Sequence, residues 1–126
     1  MSIVWTISMS QRSDVGAAPL TGQATEVGNG EISINETLPS GSADVEFDRA
    51  FTAANIQAYI LIADQAVLIK TNDATTPDDT IQMQPGRPVV WGKASGYYSC
   101  LFTKDVTKLF LTSPQGGRVR FRWLVS

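Results

Sequence analysis

The opening stretch Ser2-Ile3-Val4-Trp5-Thr6-Ile7-Ser8-Met9 alternates, with Ile3, Trp5, Ile7 and Met9 on one side and mostly polar residues on the other. A two-residue period of this kind predicts a half-buried strand. Ser10 to Gly22 turns polar and reads as a loop. Gln23 to Val27 and Glu31 to Leu38 then flank Gly28-Asn29-Gly30, residue types that tolerate positive φ, and the combination predicts a hairpin. Ile32, Ile34 and Leu38 share its expected inward face. After Pro39-Ser40-Gly41-Ser42, Val45 and Phe47 alternate with Asp44, Glu46 and Asp48, which predicts a strand with an acidic outer side.

Ala50 to Ile62 is mixed: Phe51-Thr52-Ala53-Ala54-Asn55 favours a short helical turn and Ile56 to Ile62 is β-rich, so a turn at 52–55 followed by a strand is expected. In Ala66 to Lys70, Val67 and Ile69 oppose Leu68, and apolar residues on both faces predict a central strand. Thr71 to Asp79 has loop composition, followed by Ile81 and Met83 in a short strand. Pro85-Gly86-Arg87-Pro88 makes a turn before Val89-Val90-Trp91, and Gly92 to Gly96 breaks that run. Leu101 to Val106 is an irregular connection, and the strands Thr107 to Thr112 and Gly117 to Val125 close the chain around the Ser113–Gly117 turn. Nine or ten short strands without an amphipathic helix predict an all-β fold, an antiparallel β-sandwich with a jelly roll as one form of it. The two hairpin-rich halves are candidates for its two sheets.

Composition bounds the picture. A chain of 126 residues is one ordinary domain, expected to span 1–126 and to bury roughly 68% of its unfolded surface. Hydrophobic residues at 43% and charged residues at 17% fit a folded, weakly charged module. No run approaches the ~20 apolar residues of a membrane span, so no membrane partner is expected. Residues 1–64 carry eight acids and two bases while residues 65–126 carry four acids and eight bases, within a net charge of −2. Separate surfaces for the two halves would let neighbouring copies attract head to side, whereas interleaved strands would mix the charges; both arrangements stay open.

The chain has no histidine, which excludes imidazole general bases, histidine-dependent triads and histidine-liganded zinc. The single Cys100 cannot form an internal disulfide and has no histidine to activate it, so a buried, inert thiol in a reducing compartment is expected. Met1 to Ser10 lacks the features of a secretory signal, and no export is expected. Asn72-Asp73 with Asp78-Asp79 gathers oxygen ligands but lacks EF-hand spacing, and these residue types are favoured in any turn. The same acids as a glycosidase pair would need a sugar-binding cleft to hold them at a fixed separation. No cofactor, no metal and no enzymatic activity are expected. Arg118, Arg120 and Arg122 alternate with Val119, Phe121 and Trp123, so three guanidinium groups share one face of the last strand. Such a row grips carboxylate or phosphate, but a pI of 4.9 argues against nucleic acid and favours a subunit contact or a solvated face. Trp5, Trp91, Trp123, Tyr97 and Tyr98 are expected as core and interface anchors.

Leu68-Ile69-Lys70-Thr71-Asn72-Asp73, Thr75-Thr76-Pro77-Asp78-Asp79-Thr80-Ile81, Pro88-Val89-Val90-Trp91 and Asp105-Val106-Thr107-Lys108-Leu109-Phe110-Leu111-Thr112 carry a resemblance. Together, from Leu68 to Val125, the chain resembles small β-rich virion structural proteins of tailed bacteriophages, of the capsid decoration or cement type. It departs from them in its Arg118-Val119-Arg120-Phe121-Arg122-Trp123 ending. The resemblance implies a virion component assembled in the host bacterial cytoplasm, with the major capsid protein of the shell and copies of itself, as a trimer, for partners. Trp5, Asp73, Asp78, Asp79, Arg118, Arg120 and Arg122 are then the candidate subunit contacts. A tail or baseplate component with an adhesive role is the alternative, which exposed Trp91, Tyr97 or Tyr98 would favour.

Overall fold

Alternating apolar positions become ten strands: β1 (Ile3–Gln11), β2 (Leu20–Gly28), β3 (Gly30–Leu38), β4 (Ser42–Phe47), β5 (Ile56–Ala63), β6 (Val67–Thr71), β7 (Thr80–Met83), β8 (Val89–Gly92), β9 (Leu109–Ser113) and β10 (Gly117–Val125). The computed structural model describes residues 2–94 and 98–126, and the only helical piece among them is a single 3-10 turn, Ala53–Asn55, where the sequence places one.

The last eight strands form two four-stranded antiparallel sheets, ordered β3-β10-β5-β8 and β4-β9-β6-β7. Their pairing is nested: β3 with β10, β4 with β9, β5 with β8 and β6 with β7, as though one long hairpin were wound around a barrel. The β10–β5 and β9–β6 ladders then close the two sheets. This winding is the jelly roll. The two halves of the chain therefore do not form one sheet each. Each sheet takes strands from both, and the charge asymmetry along the sequence is dispersed in space. The strand from Val67, with its two apolar faces, lies inside its sheet as expected, between β9 and β7.

One core cluster joins the inner faces. β10 contributes Val119, Phe121 and Trp123, β5 contributes Tyr59, Leu61 and Ala63, and β9 contributes Leu109 and Leu111. Aromatic rings organise its centre: Phe102 meets Tyr59 and Trp123 edge-on at 5.2 and 5.8 Å, and Phe51 lies 5.2 Å from Trp123. Phe51 and Val106 exchange backbone hydrogen bonds, which pins the irregular 101–106 connection over the core. Burial pushes the Tyr59 hydroxyl well above the ordinary tyrosine range, although the oxygen accepts a hydrogen bond from the Leu101 amide at 3.2 Å. Trp91 is half-buried and stacks on Tyr59. Cys100 is partly buried against the same cluster, and desolvation raises its thiol pKa.

β1 and β2 belong to neither sheet. Among the described residues they pair only with each other, Ile3 opposite Gly28 through Gln11 opposite Leu20, as a two-stranded arm. The expected β2–β3 hairpin does not form; Gly28-Asn29-Gly30 instead carries the chain from the arm into the roll. Neither glycine there has positive φ. Gly28 is needed for proximity: a Cβ on it would lie 2.5 Å from the Val125 carbonyl oxygen and 2.8 Å from Leu124 Cγ. Gly116 and Gly117 do serve as turn residues, with φ of 75° and 99°. The polar segment expected as a loop from Ser10 to Gly22 shortens to residues 12–19, because cross-strand pairing extends both arm strands beyond their apolar parts.

Candidate functional site: an arginine-lined cleft beneath the arm

Directly paired residues of an antiparallel ribbon share a face. On one face of the arm lie Ile3, Trp5 and Ile7 with their partners Gly28, Glu26 and Ala24, and this face packs on the outer side of the β3-β10-β5-β8 sheet. Ile7, Ala58 and Leu124 form a second, small buried cluster there, flanked by Ile60 and Val90. The buried Glu26 carboxylate accepts the Ala94 amide at 3.1 Å and ties the arm to the segment after β8.

Beside this contact the arm and sheet separate into an open cleft of about 610 Å³. Val4, Trp5 and Ile7 form its arm side, Glu31, Ser33 and Asn35 of β3 one flank, and Ile60 and Ile62 of β5 the other. Arg120 and Arg122 of β10 lie between those flanks, since β10 runs between β3 and β5. Register fixes their neighbours: Arg120 sits between Asn35 and Ile62, and Arg122 between Ser33 and Ile60. Trp5 donates its indole N–H to Glu31 Oε1 at 2.7 Å, which fixes the indole against the β3 flank. Among the described residues neither the Arg120 nor the Arg122 side chain has a hydrogen bond or an ion pair. Arg118, the third of the row, lies outside the cleft and donates from Nε to Asn35 Oδ1 at 3.1 Å.

The arginine row thus shares one face, as the alternation predicts, with Val119, Phe121 and Trp123 buried on the other. β10 is not an edge strand. Its backbone is paired on both sides, so the row is available to a partner through side chains alone.

The acidic candidates lie elsewhere, in the β6–β7 loop of the opposite sheet. Asp73 Oδ1 accepts the Thr75 and Thr76 amides at 2.7 and 3.0 Å, and these two bonds hold its carboxyl below the usual range. Asp79 accepts the amide and hydroxyl of Thr103 at 2.8 and 2.7 Å. Asp78 accepts from Asn72 Nδ2 at 2.6 Å, and Asn72, at φ 69°, also bonds the Asp105 carbonyl and the Thr107 amide. Asp79 and Asn72 tie the loop to the 103–107 segment while Asp73 and Asp78 brace it from within, the turn role that Asp and Asn commonly take. No group of three acidic or cysteine side chains among the described residues is placed to hold a metal ion. The structure therefore brings Trp5, Arg120 and Arg122 together and leaves Asp73, Asp78 and Asp79 in a separate network. Of the aromatics proposed for adhesion, Tyr98 is exposed, Trp91 is packed, and Tyr97 lies outside the described residues, as does part of the break expected at Gly92 to Gly96.

Glu31, Ser33, Asn35, Ile60 and Ile62 were not legible as site residues. The arginine alternation marks a face, but only the strand order shows what flanks it. No protein family, curated protein or solved structure matches the chain.

Proposed function

We propose that this protein is an assembly module of a virion, a decoration or cement protein that binds the outside of a bacteriophage head and reinforces contacts between shell subunits. The observation that carries the reading is the arm. Its body-facing side continues past Ile7 with Met9 and Leu20, which are 62% and 72% exposed, and Val15 at the tip is 84% exposed. Val4 and Val27, paired on the opposite face, are also more than half exposed. A two-stranded ribbon is marginal on its own in water, and apolar side chains running off the body are a surface that a neighbour would cover. Among the described residues neither ribbon edge pairs with a further strand, and such edges suit strand addition by a partner. Many such modest contacts over one particle act together. The jelly roll recurs in viral capsid domains but hosts unrelated functions, so it supports the reading only as a prior.

The major capsid protein and sister copies, as a trimer, are the partners in this reading, and it assigns the protein no catalysis. The decisive experiment is electron microscopy of intact virions with a gold-labelled antibody against this chain. Label spread over the head is expected; label confined to the tail or its tip overturns the assignment. That second result is what the alternative, a tail or baseplate adhesion component, requires, and the exposed Tyr98 favours that alternative.

A further inference from the structure

Arg120 and Arg122 lie two residues apart on one face of β10, so their side chains leave the sheet about 7 Å apart. Each is flanked by a neutral polar residue on β3 and an isoleucine on β5, and neither has an acidic partner among the described residues. The one carboxylate among the described residues lining the cleft, Glu31, accepts the Trp5 indole N–H and forms no ion pair with either arginine. Two guanidinium charges against the single Glu31 carboxylate leave the cleft net positive, and a monoanion entering between the arginines offsets their mutual repulsion. A guanidinium fork matches the two oxygens of a carboxylate.

The rest of the cleft narrows the kind of anion. Ser33 and Asn35 offer a hydroxyl and an amide, Glu31 offers acceptor oxygens, and Trp5 with Ile60 and Ile62 offers apolar surface. Acceptors in the wall suit a ligand rich in hydroxyl donors, and the Glu31 charge disfavours a dianion such as phosphate. A volume of about 610 Å³ lies within the ordinary range for small-molecule sites and holds one or two sugar rings. We propose that the cleft between the β1–β2 arm and the β3-β10-β5-β8 sheet binds a sugar acid. Arg120 and Arg122 hold its carboxylate, Ser33, Asn35 and Glu31 meet its hydroxyls, and Trp5 covers the ring. This inference goes beyond the assembly reading and does not depend on it, because a shell contact through the arm tip leaves the cleft open.

The test is a titration of the ¹⁵N-labelled protein, in a buffer free of carboxylate and phosphate, with glucuronate, N-acetylneuraminate, glucose and inorganic phosphate. The expected result is a saturable shift of the Trp5 indole N–H with one or both sugar acids at millimolar concentration, little shift with glucose, and weaker binding of phosphate. Arg120→Gln and Arg122→Gln are expected to weaken sugar-acid binding about tenfold each, the loss of one charge-assisted contact. Arg118→Gln removes the same charge outside the cleft while keeping an N–H able to donate to Asn35 Oδ1, and is expected to weaken binding by less than about twofold. Equal weakening by all three variants would show general attraction of anions to a basic face and overturn the proposal. Phosphate binding as tightly as the sugar acids, glucose binding as well as glucuronate, or no saturable shift with any of them would also overturn it. All three arginines are exposed, and unchanged amide spectra away from β10 verify that each variant is folded.

Discussion

Gly28→Ala tests how the arm is held. The added methyl carbon would sit 2.5 Å from the Val125 carbonyl oxygen and 2.8 and 2.9 Å from Leu124 Cγ and Cδ1. Rotation of Leu124 does not relieve the clash, since the closest atom is backbone, and that oxygen already accepts the Asn29 amide at 2.8 Å. Either β2 strains in place, at the cost of about 1–3 kcal/mol usual for overpacking, or the arm lifts. Lifting exposes Ile7 and Leu124, at about 1.5–3 kcal/mol for each side chain. Strain is the cheaper route, and a loss of about 2 kcal/mol is expected. For a domain of this size that lowers the melting temperature by roughly 6–10 °C. Gly22→Ala on the same strand has nothing within 4 Å of the new carbon and serves as the control. It is expected to be neutral or to gain up to about 1 kcal/mol, because alanine has less backbone freedom to lose than glycine. Thermal unfolding followed by circular dichroism, with amide exchange along β1 and β2, reads both. A Gly28→Ala protein that melts no lower than the Gly22→Ala protein, with unchanged exchange in the arm, would refute the packing described for the base of the arm.

Asn72→Ala loses the side-chain bonds to Asp78, Asp105 and Thr107 and forces alanine to φ 69°, for an expected cost of about 2–4 kcal/mol in urea unfolding. Asn72→Gly restores only the backbone freedom and should fall between that variant and the parent protein. The depressed carboxyl of Asp73 contributes stability that is complete above the ordinary carboxylate range and is lost as pH falls through its own lower value, so the Thr75 and Thr76 amide signals should hold position until well into acid. Amide shifts that titrate at an ordinary aspartate pKa would contradict the two hydrogen bonds. Cys100, with its thiol pKa raised by burial, should react slowly with a disulfide reagent at neutral pH and rapidly once the protein is unfolded in urea. Equal rates in the two states would place the thiol in solvent.

The body of the roll was legible because its signal is local. β10 spans the residues that the Arg-x-Arg-x-Arg alternation marked, β4 has the expected acidic outer side, and the turn at 53–55 lies where alanine and asparagine interrupt the β-rich run. Pairing was not legible, because it is set by distant partners. Gly28-Asn29-Gly30 has the composition of a hairpin turn, yet β3 buries Ile34 and Leu38 only by joining β10, where their partners Phe121 and Gly117 lie 87 and 79 residues on. That long-range choice releases β2 to pair with β1. It also places Ser33 and Asn35 beside the arginines, so the cleft follows from a pairing that no local pattern announces.

The same topology decides where a neighbour can add to this molecule. β10, with its row of basic side chains, has both its sides occupied, and among the described residues the roll offers strand edges at β3, β8, β4 and β7. Those edges are protected or short. Arg49 Nε donates to the Ser33 carbonyl at 3.1 Å on β3, β4 carries an irregularity between Ser42 and Val45 with Asp44 at φ 46°, and β7 and β8 have four residues each. Short strands, bulges and a cationic side chain on an edge are the devices by which sheets avoid open-ended association. Along β1 and β2, nine residues each, the register runs without a bulge and, among the described residues, neither outer edge pairs with a further strand. In the proposed assembly reading, a partner strand would therefore add at the arm and not at the roll. On that proposal, replacing Ser8 and Gln23 by proline, which removes one backbone N–H from each arm strand, should weaken attachment to stripped phage particles while the roll still melts cooperatively. Attachment at parent strength, with the arm shown by amide exchange to have lost its ladder, would move the contact off the arm and onto the roll.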